Sequence, residues 1–252
     1  MRVFLACSTS ATDKKSKEKF FKENKPLFLL ETFFSGERIC RDVLNIVGVD
    51  NFLLDSGAFS YMSGAKCTKE SLLVYLDKYI AFINKYNIKY FFELDVDTIF
   101  GIEFVEMMRK KLEKETGRQC IPVWHKGRGI EYWKKMVANY KYIAIGGLVF
   151  HVKKQEWPLI KKMVDYAYAK GVKVHGLGFT KTKELDKYKF YSVDSSSWLS
   201  SASRGQMLNI FNGTCIVNKA INKGEYKAAL KNMTEFNFKE WIKYQKYMNN
   251  KR

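Results

Sequence analysis

The chain has few of the residues that build disulfide frameworks, metal centres and membrane spans. It contains five cysteines and three histidines in 252 residues, and no two cysteines form a CxxC pair. An odd, scattered set of cysteines argues against disulfides and against a cysteine zinc site, so we expect reduced thiols and no bound metal. No apolar run approaches the roughly 20 residues that a membrane-spanning helix needs, and MRVFLACSTS becomes polar too soon for a secretory signal. We therefore expect a cytoplasmic protein with no membrane partner.

Acidic residues are scarce relative to basic ones, and the imbalance is confined to one part of the chain. The net charge is +18. Residues 1–100 carry 14 Lys and Arg against 13 Asp and Glu, whereas residues 101–252 carry 30 against 13. Such an excess favours binding to polyanions, nucleic acid first among them. Lysines on solvated helix faces would give the same composition, so charge alone does not separate these interpretations.

Short apolar runs recur along the first 195 residues. There are eight, at residues 2–7, 27–32, 52–56, 89–95, 121–125, 142–147, 173–178 and 190–195. They are almost continuously apolar, which is typical of parallel strands covered on both faces. Lys-rich amphipathic segments lie between them, for example residues 69–86, 101–117 and 156–171. Strand followed by helix, repeated eight times, predicts an α/β fold, a (β/α)8 barrel of the TIM type.

The sequence leaves one alternative to the barrel fold, and one of the eight strand–helix units is weakly supported. A doubly wound open sheet usually carries a GxGxxG turn after its first strand, and ACSTSATD is not such a turn. The second repeat is weak because only residues 35–50 are left to house its helix. No linker or internal repeat divides the chain. We therefore expect a barrel over residues 1–205 and a basic, helical C-terminal extension over residues 206–252, packed on the barrel, in which TCIV is ambiguous.

Polar residues stand at the ends of several apolar runs, where a barrel of this kind assembles its active site. The third run ends in Asp55, the fourth in Asp95, the fifth in His125 and the eighth in Asp194, while the seventh contains His175. Any one aspartate could simply cap the following helix. A buried carboxylate is costly unless it has a purpose, so three of them at strand ends predict a functional site.

Five motifs at these ends occur in the order of a known family. They are DSGAF at 55–59, the Asp of ELD at 95, IAIGGL at 143–148, HGLG at 175–178 and YSVDSSS at 191–197. Together they resemble the tRNA-guanine transglycosylase superfamily, whose barrel carries DSGGF or DSGGY, a mid-barrel Asp, GGL, a GxG strand and a late Asp. The resemblance covers roughly residues 50–206.

The resemblance implies that a base is exchanged without strand cleavage, and it assigns roles by position. Asp194 would be the nucleophile that attacks C1′ of a guanosine, and Asp55 the general acid and base. Asp95 would accept hydrogen bonds from the N1–H and the 2-amino group of guanine. His125 stands where the family usually has a Gln that contacts O6 of the base.

The same resemblance implies contacts around the ring of the base. Gly146, Gly147 and Leu148 would bring backbone groups to its 7-substituent. Phe59 and His175 would stack on its two faces.

The chain departs from the tRNA-directed members in one respect. They carry a CxCxxC…H zinc site after the barrel, and this sequence has no such cysteines. It resembles instead the short, zinc-less deazaguanine DNA transglycosylases of phages and bacterial modification islands. The expected partners are therefore DNA and 7-cyano-7-deazaguanine or a relative, with tRNA as the alternative acceptor and no cofactor. The target base would be flipped from a duplex or taken from a single strand.

Basic residues that follow strand ends are candidates for phosphate contacts. They are Lys126, Arg128, Lys181, Lys183 and Arg204. Two interpretations from other classes stay open. One is a non-catalytic barrel that binds nucleic acid as a partner subunit, and under any of these interpretations the protein could form a homodimer. The other is a small-molecule or metal-dependent enzyme that uses His125 and His175.

Overall fold

Parallel strands form the centre of the molecule. The computed structural model describes residues 1–7, 20–58, 60, 67–148, 152–179, 181–199, 207–221 and 226–251. One parallel sheet contains β1 (Arg2–Ala6), β2 (Leu29–Thr32), β3 (Phe52–Asp55), β4 (Val123–Trp124), β5 (Tyr142–Ile145), β6 (Lys173–Gly176) and β7 (Ser192–Ser195). Their order is β3-β2-β1-β7-β6-β5-β4, so β1 and β7, the first and last strands of this sheet along the chain, are neighbours.

Residues 91–92 close this sheet into a ring. Phe91 forms a parallel bridge with Leu54 of β3, and Phe92 forms one with Ile121, just before β4. The Phe92 N–H donates to the Leu54 carbonyl at 3.1 Å, and the Ile121 N–H donates to the Phe91 carbonyl at 2.8 Å. This segment holds the fourth of eight strand positions. The predicted (β/α)8 barrel of the TIM type is therefore confirmed, and each of the eight apolar runs supplies a strand.

Helices cover the outside of the barrel. They are α1 (Glu37–Val47), α2 (Lys69–Lys85), α3 (Asp97–Phe100), α4 (Ile102–Thr116), α5 (Gly129–Asn139) and α6 (Trp157–Ala169). The three quoted amphipathic segments match α2, α4 and α6 to within two residues at each end. The short stretch 35–50 does house a helix, α1.

The seventh connection departs from the repeat. Between β6 and β7, the described residues contain only a 3₁₀ turn, Leu185–Lys187, and no α-helix. Beyond the barrel, β8 (Met207–Phe211) and β9 (Ile216–Ala220) form an antiparallel hairpin. The Ile216 N–H donates to the Thr182 hydroxyl at 3.0 Å, which fastens the hairpin to the seventh connection. The prediction of helix on either side of the ambiguous run TCIV is therefore wrong for residues 207–211 and 218–220.

A long C-terminal helix, α7 (Tyr226–Asn250), packs against β1 and the hairpin. Its buried Gln245 donates to the carbonyls of Val3 and Phe28 at 2.6 and 2.7 Å, and accepts from the Leu27 N–H at 3.0 Å. One amide thus ties the helix to both β1 and the segment that enters β2. Like the other described helices, α7 lacks the apolar length needed to cross a membrane. The domain boundary at residue 205 stays a prediction.

The interior of the ring has its own small apolar cluster. Its buried members are Phe4, Phe28, Leu30, Leu53, Phe92, Ile121, Val123 and Ala144. Successive side chains of a strand point to opposite faces, so a residue two places after an inward apolar residue also points inward. This alternation turns Asp55 inward after Leu53, and His125 inward after Val123. The sheet geometry therefore delivers these polar groups to one end of the barrel.

Candidate active site

Three carboxylates lie towards the C-terminal end of the barrel strands. Asp55 is the last residue of β3 and pairs in register with Thr32 of β2. Asp194 lies in β7, in register with Phe4 of β1, and Asp95 follows the short strand at residues 91–92. The charges of Asp95 and Asp194 both raise the pKa of Asp55. Asp55 therefore lies close enough to the other two predicted acids for their charges to act on it.

Asp55 keeps its proton to a higher pH than an ordinary carboxyl group. Burial, and then the charges of Asp95 and Asp194, raise its pKa to about 7. Its Oδ2 accepts a hydrogen bond from the Gly57 N–H at 3.2 Å. Gly57 has a φ of 73°, and a Cβ at this position would lie 2.6 Å from the Cβ of Phe34. The DSG turn thus needs glycine, and a carboxyl group with this pKa can both give and take protons near neutral pH.

Asp95 pairs with His125 at the mouth of the barrel. The distance from Asp95 Oδ2 to His125 Nε2 is 2.8 Å, and both side chains are partly exposed. Burial lowers the pKa of His125, but the hydrogen bond and charge of Asp95 outweigh it, so the pKa is raised overall. Gly146 leaves room for the ring, since a Cβ there would lie 2.4 Å from His125 Cε1. The histidine itself therefore requires this glycine.

Asp194 is held by His175 from inside the barrel. Its Oδ1 lies 3.1 Å from His175 Nε2 and accepts from the Gly178 N–H at 2.8 Å. The other ring nitrogen, Nδ1, lies 2.6 Å from the Ser192 hydroxyl. His175 is 0% exposed. The predicted stacking of His175 on a base is therefore wrong, because its ring has no surface open to a ligand.

A buried ion cluster, which was not predicted from the sequence, lies behind the mouth of the barrel. Glu93 pairs with Arg109 at 3.0 Å and with Arg128 at 2.7 Å, and Arg128 also pairs with Asp97 at 2.6 Å. The Arg128 side chain is only 1% exposed. The predicted contact of Arg128 with a phosphate backbone is therefore wrong, because its guanidinium is buried. The sequence does contain a signal for this cluster. Glu93 lies within the apolar run FFELD, and a buried acid needs a buried partner of opposite charge.

Further residues were predicted around the 7-substituent and the ring of a base. Leu148 is buried in the core outside the barrel interior, and Gly147 has a φ of 72°. Phe59 and Arg204 lie outside the described residues. The backbone contacts expected of Gly146, Gly147 and Leu148 stay predictions.

The lysines predicted for phosphate contacts differ in their surroundings. Lys126 forms an ion pair with Glu156, so its charge is already matched. Lys181 places its ammonium group 4.0 Å from the centre of the Trp157 ring, and Lys183 is exposed. Lys181 and Lys183 are therefore the better placed cations for a polyanion.

The metal-dependent alternative has no ligand set in the described part of the chain. No group of three or more His, Cys, Asp and Glu side chains there is arranged to hold an ion. His125 and His175, its two candidate ligands, each pair with a different aspartate.

Comparison with known proteins identifies the fold. No protein-family model matches the chain, and no curated protein matches it. A solved structure described as "QR15, an Aldolase" is similar with a TM-score of 0.50, over 77% of this chain and 89% of that chain. The two sequences are 14% identical. At this identity the similarity shows a shared fold and carries no activity from one protein to the other.

Proposed function

We propose that the protein is an enzyme that exchanges guanine in DNA for a 7-deazaguanine base, through a covalent intermediate on Asp194. The observation that supports this most is the group of three interacting acids at one mouth, among which Asp55 has a pKa raised to about 7. Glycosidic exchange needs an anionic nucleophile beside C1′ and a second group that gives and later takes a proton. The order of the site motifs, which resembles that of the guanine transglycosylases, supports the same chemistry.

The first step forms the covalent intermediate. A carboxylate oxygen of Asp194 attacks C1′ of the target deoxyguanosine, the C1′–N9 bond breaks, and its electron pair leaves with guanine. Asp55 gives its proton to the departing base, which leaves neutral. Close to pH 7 a group with this pKa is protonated in about half of the molecules. The anionic oxygen also stabilises the cation-like sugar as the bond breaks.

The second step reverses these roles. The entering 7-deazaguanine gives its N9 proton to the Asp55 carboxylate, and N9 attacks C1′. The ester bond to Asp194 breaks, and its electron pair returns to the carboxylate. Both acids regain their starting states, so the cycle balances without a redox partner or a cofactor.

Asp95 and His125 would distinguish guanine from other bases. The carboxylate accepts from N1–H and the 2-amino group, which both donate in guanine. Asp95 raises the pKa of His125 and so favours the imidazolium, whose Nδ1–H would donate to O6. Adenine lacks this pattern of donors and acceptor. The pair therefore explains a histidine where the resembled family usually has a Gln.

The proposed acceptor is DNA, and the decisive test compares acceptors directly. The protein is incubated with single-stranded DNA, duplex DNA or tRNA that carries labelled guanine, together with 7-cyano-7-deazaguanine. We expect label release from DNA and a protein–DNA adduct on a denaturing gel. Asp194→Asn should lower both by at least about 10³-fold, because no covalent ester can form.

A matched variant controls for loss of one negative charge. Asp77→Asn removes an exposed acid on α2 and should leave exchange unchanged. Exchange that survives Asp194→Asn would contradict the proposed nucleophile. Exchange on tRNA alone would correct the acceptor, and no exchange on any acceptor would overturn the proposed function.

A further inference from the structure

A chain of polar side chains runs through the barrel interior to Asp194. The hydroxyl groups of Tyr142 and Ser192 form a short hydrogen bond, and Ser192 Oγ lies 2.6 Å from His175 Nδ1. His175 Nε2 lies 3.1 Å from Asp194 Oδ1. Ser192 and His175 are both 0% exposed. Such a chain in an otherwise apolar interior is stable only when every donor meets an acceptor.

The Asp194 carboxylate, at one end, sets the direction in which every hydrogen bond of this chain is donated. An ionised carboxylate only accepts, so His175 must carry its proton on Nε2 and donate to Asp194. In a neutral imidazole Nδ1 then accepts, so the Ser192 hydroxyl donates to it. The Ser192 oxygen in turn accepts from the Tyr142 hydroxyl. With a neutral imidazole, this arrangement satisfies all three hydrogen bonds.

The apolar surroundings of His175 reinforce this arrangement. The rings of Phe4 and Phe92 lie edge-on to the imidazole, with centroids 6.1 and 5.3 Å away. Neither ring offers a strong acceptor to a rotated imidazole. His175 therefore has fixed partners at both nitrogens and one orientation.

We infer that His175 is a positioning residue that sets which oxygen of Asp194 reacts, an inference that rests on the proposed function. Oδ1 is held by His175 Nε2–H and by the Gly178 N–H at 2.8 Å. No hydrogen bond from the described residues reaches Oδ2, which is left to attack C1′. The new C1′–Oδ2 bond forms as the C1′–N9 bond breaks, and guanine leaves with that electron pair and the Asp55 proton.

The two donors on Oδ1 also assist the second step. In the ester, Oδ1 is the carbonyl oxygen and still accepts from both N–H groups. When the entering base displaces the ester, negative charge returns to the carboxylate and is shared by Oδ1. Donors that are already in place stabilise this developing charge without reorganising.

The direction of the hydrogen-bond chain is tested independently of enzyme activity, by ¹⁵N NMR of the whole protein with ¹⁵N-labelled histidine. Only three histidines contribute signals, and the spectrum of His175→Gln identifies those of His175. From the hydrogen-bond geometry, we expect Nε2 to carry the proton and Nδ1 to be unprotonated. Ser192→Ala removes the donor to Nδ1 and should shift these signals. A ring protonated on Nδ1 or on both nitrogens would overturn the inferred arrangement.

The role of His175 in catalysis is tested with two variants, each of which keeps a polar group near the position of one ring nitrogen and loses the other. His175→Gln keeps an amide N–H near the Nε2 position and can still donate to Asp194. His175→Asn keeps a polar group near Nδ1 for Ser192 but does not reach Asp194. We expect His175→Asn to slow adduct formation in single-turnover assays by about 100-fold, and His175→Gln by less than about 10-fold. DNA affinity should stay within about twofold of the original protein for both.

The outcomes separate this inference from the proposed function. Equal rates for folded His175→Asn and the original protein would overturn the positioning role, and a loss of DNA affinity with an unchanged rate would indicate base contact instead. If His175→Asn does not fold, Ser192→Ala carries the kinetic test, with slower adduct formation expected and an unchanged rate contradicting it. If the original protein forms no adduct, the proposed function and the catalytic part of this inference both fail, while the NMR result still decides the hydrogen-bond chain.

Discussion

At the scale of single residues, exact position in a strand decides chemistry as much as residue type. His125 follows the last residue of β4 and reaches the mouth, whereas His175 lies inside β6 and is buried. Both occur near the end of an apolar run, and the sequence does not locate a strand end to within two residues. The carboxylates were predictable because burial inside apolar runs marks them. Their hydrogen-bond partners were not, because these come from distant strands.

The raised pKa of Asp55 predicts how stability depends on pH. A carboxyl group with a pKa near 7 in the folded protein and near 3.8 in the unfolded chain binds its proton more tightly when folded. Stability due to this group is therefore present at low pH and is lost as pH rises from about 4 to about 7. Asp55→Asn abolishes this loss of stability with rising pH, because the amide does not ionise. Its side-chain oxygen can still accept a hydrogen bond from the Gly57 N–H. We expect the free energy of unfolding in urea to rise by about 4 kcal/mol at pH 8 and to change little at pH 4.

The same variant should lose exchange activity, so stability and function oppose each other at this residue. Asp77→Asn, at an exposed site, should change the free energy of unfolding by less than about 0.5 kcal/mol at either pH. An equal gain at pH 4 and pH 8 for Asp55→Asn would show that its pKa is not raised.

At the scale of elements, buried charges hold the fourth strand position in place. This position has only two isolated bridges, so its backbone pairing is sparse. Glu93, directly after it, accepts from the Val123 N–H of β4 at 2.8 Å and pairs with Arg109 of α4. Arg128 joins the same carboxylate just before α5. One acid thus connects a weakly paired strand to two helices and to β4.

Arg128→Met should therefore act on stability and not on nucleic-acid binding. Removing one partner of a buried pair leaves the other charges unmatched, so we expect a loss of about 3 kcal/mol in the free energy of unfolding, measured with urea. Arg38→Met removes an exposed arginine and should cost less than about 0.5 kcal/mol. Weaker DNA binding by Arg128→Met without a loss of stability would instead support the phosphate contact that was predicted for Arg128.

The elements themselves were predictable to different degrees. Continuous apolar runs identified every barrel strand, because parallel strands are covered on both faces. The hairpin was missed, although Asn212-Gly213 between two apolar runs is a common hairpin signal. Its strands are held by α7, since the Asn209 N–H donates to the Asn237 side chain at 2.7 Å and the Trp241 indole donates to the Asn209 side chain at 2.9 Å. Such contacts over a long sequence separation leave no local pattern.

At the scale of the whole molecule, exposed lysines stand at both ends of the barrel. Lys181 and Lys183 follow the C-terminal end of β6, on the side of the carboxylates. Lys173 begins β6 and Lys189 precedes β7, at the opposite end. Lys173 and Lys189 lie 4.4 and 4.6 Å from tyrosine ring centres, much as Lys181 lies against Trp157. The two pairs therefore provide a matched comparison of equal charge.

The proposed function predicts that only the pair near the mouth contributes to binding of single-stranded DNA. Each phosphate contact releases a counterion, so removing two contacts should reduce the slope of log affinity against log salt by about 1.4. We expect this from Lys181→Ala with Lys183→Ala, measured by fluorescence anisotropy over a salt series. Lys173→Ala with Lys189→Ala removes the same charge and should leave the slope unchanged. Equal losses from both double variants would mean that the net charge attracts DNA without directing it to the three acids.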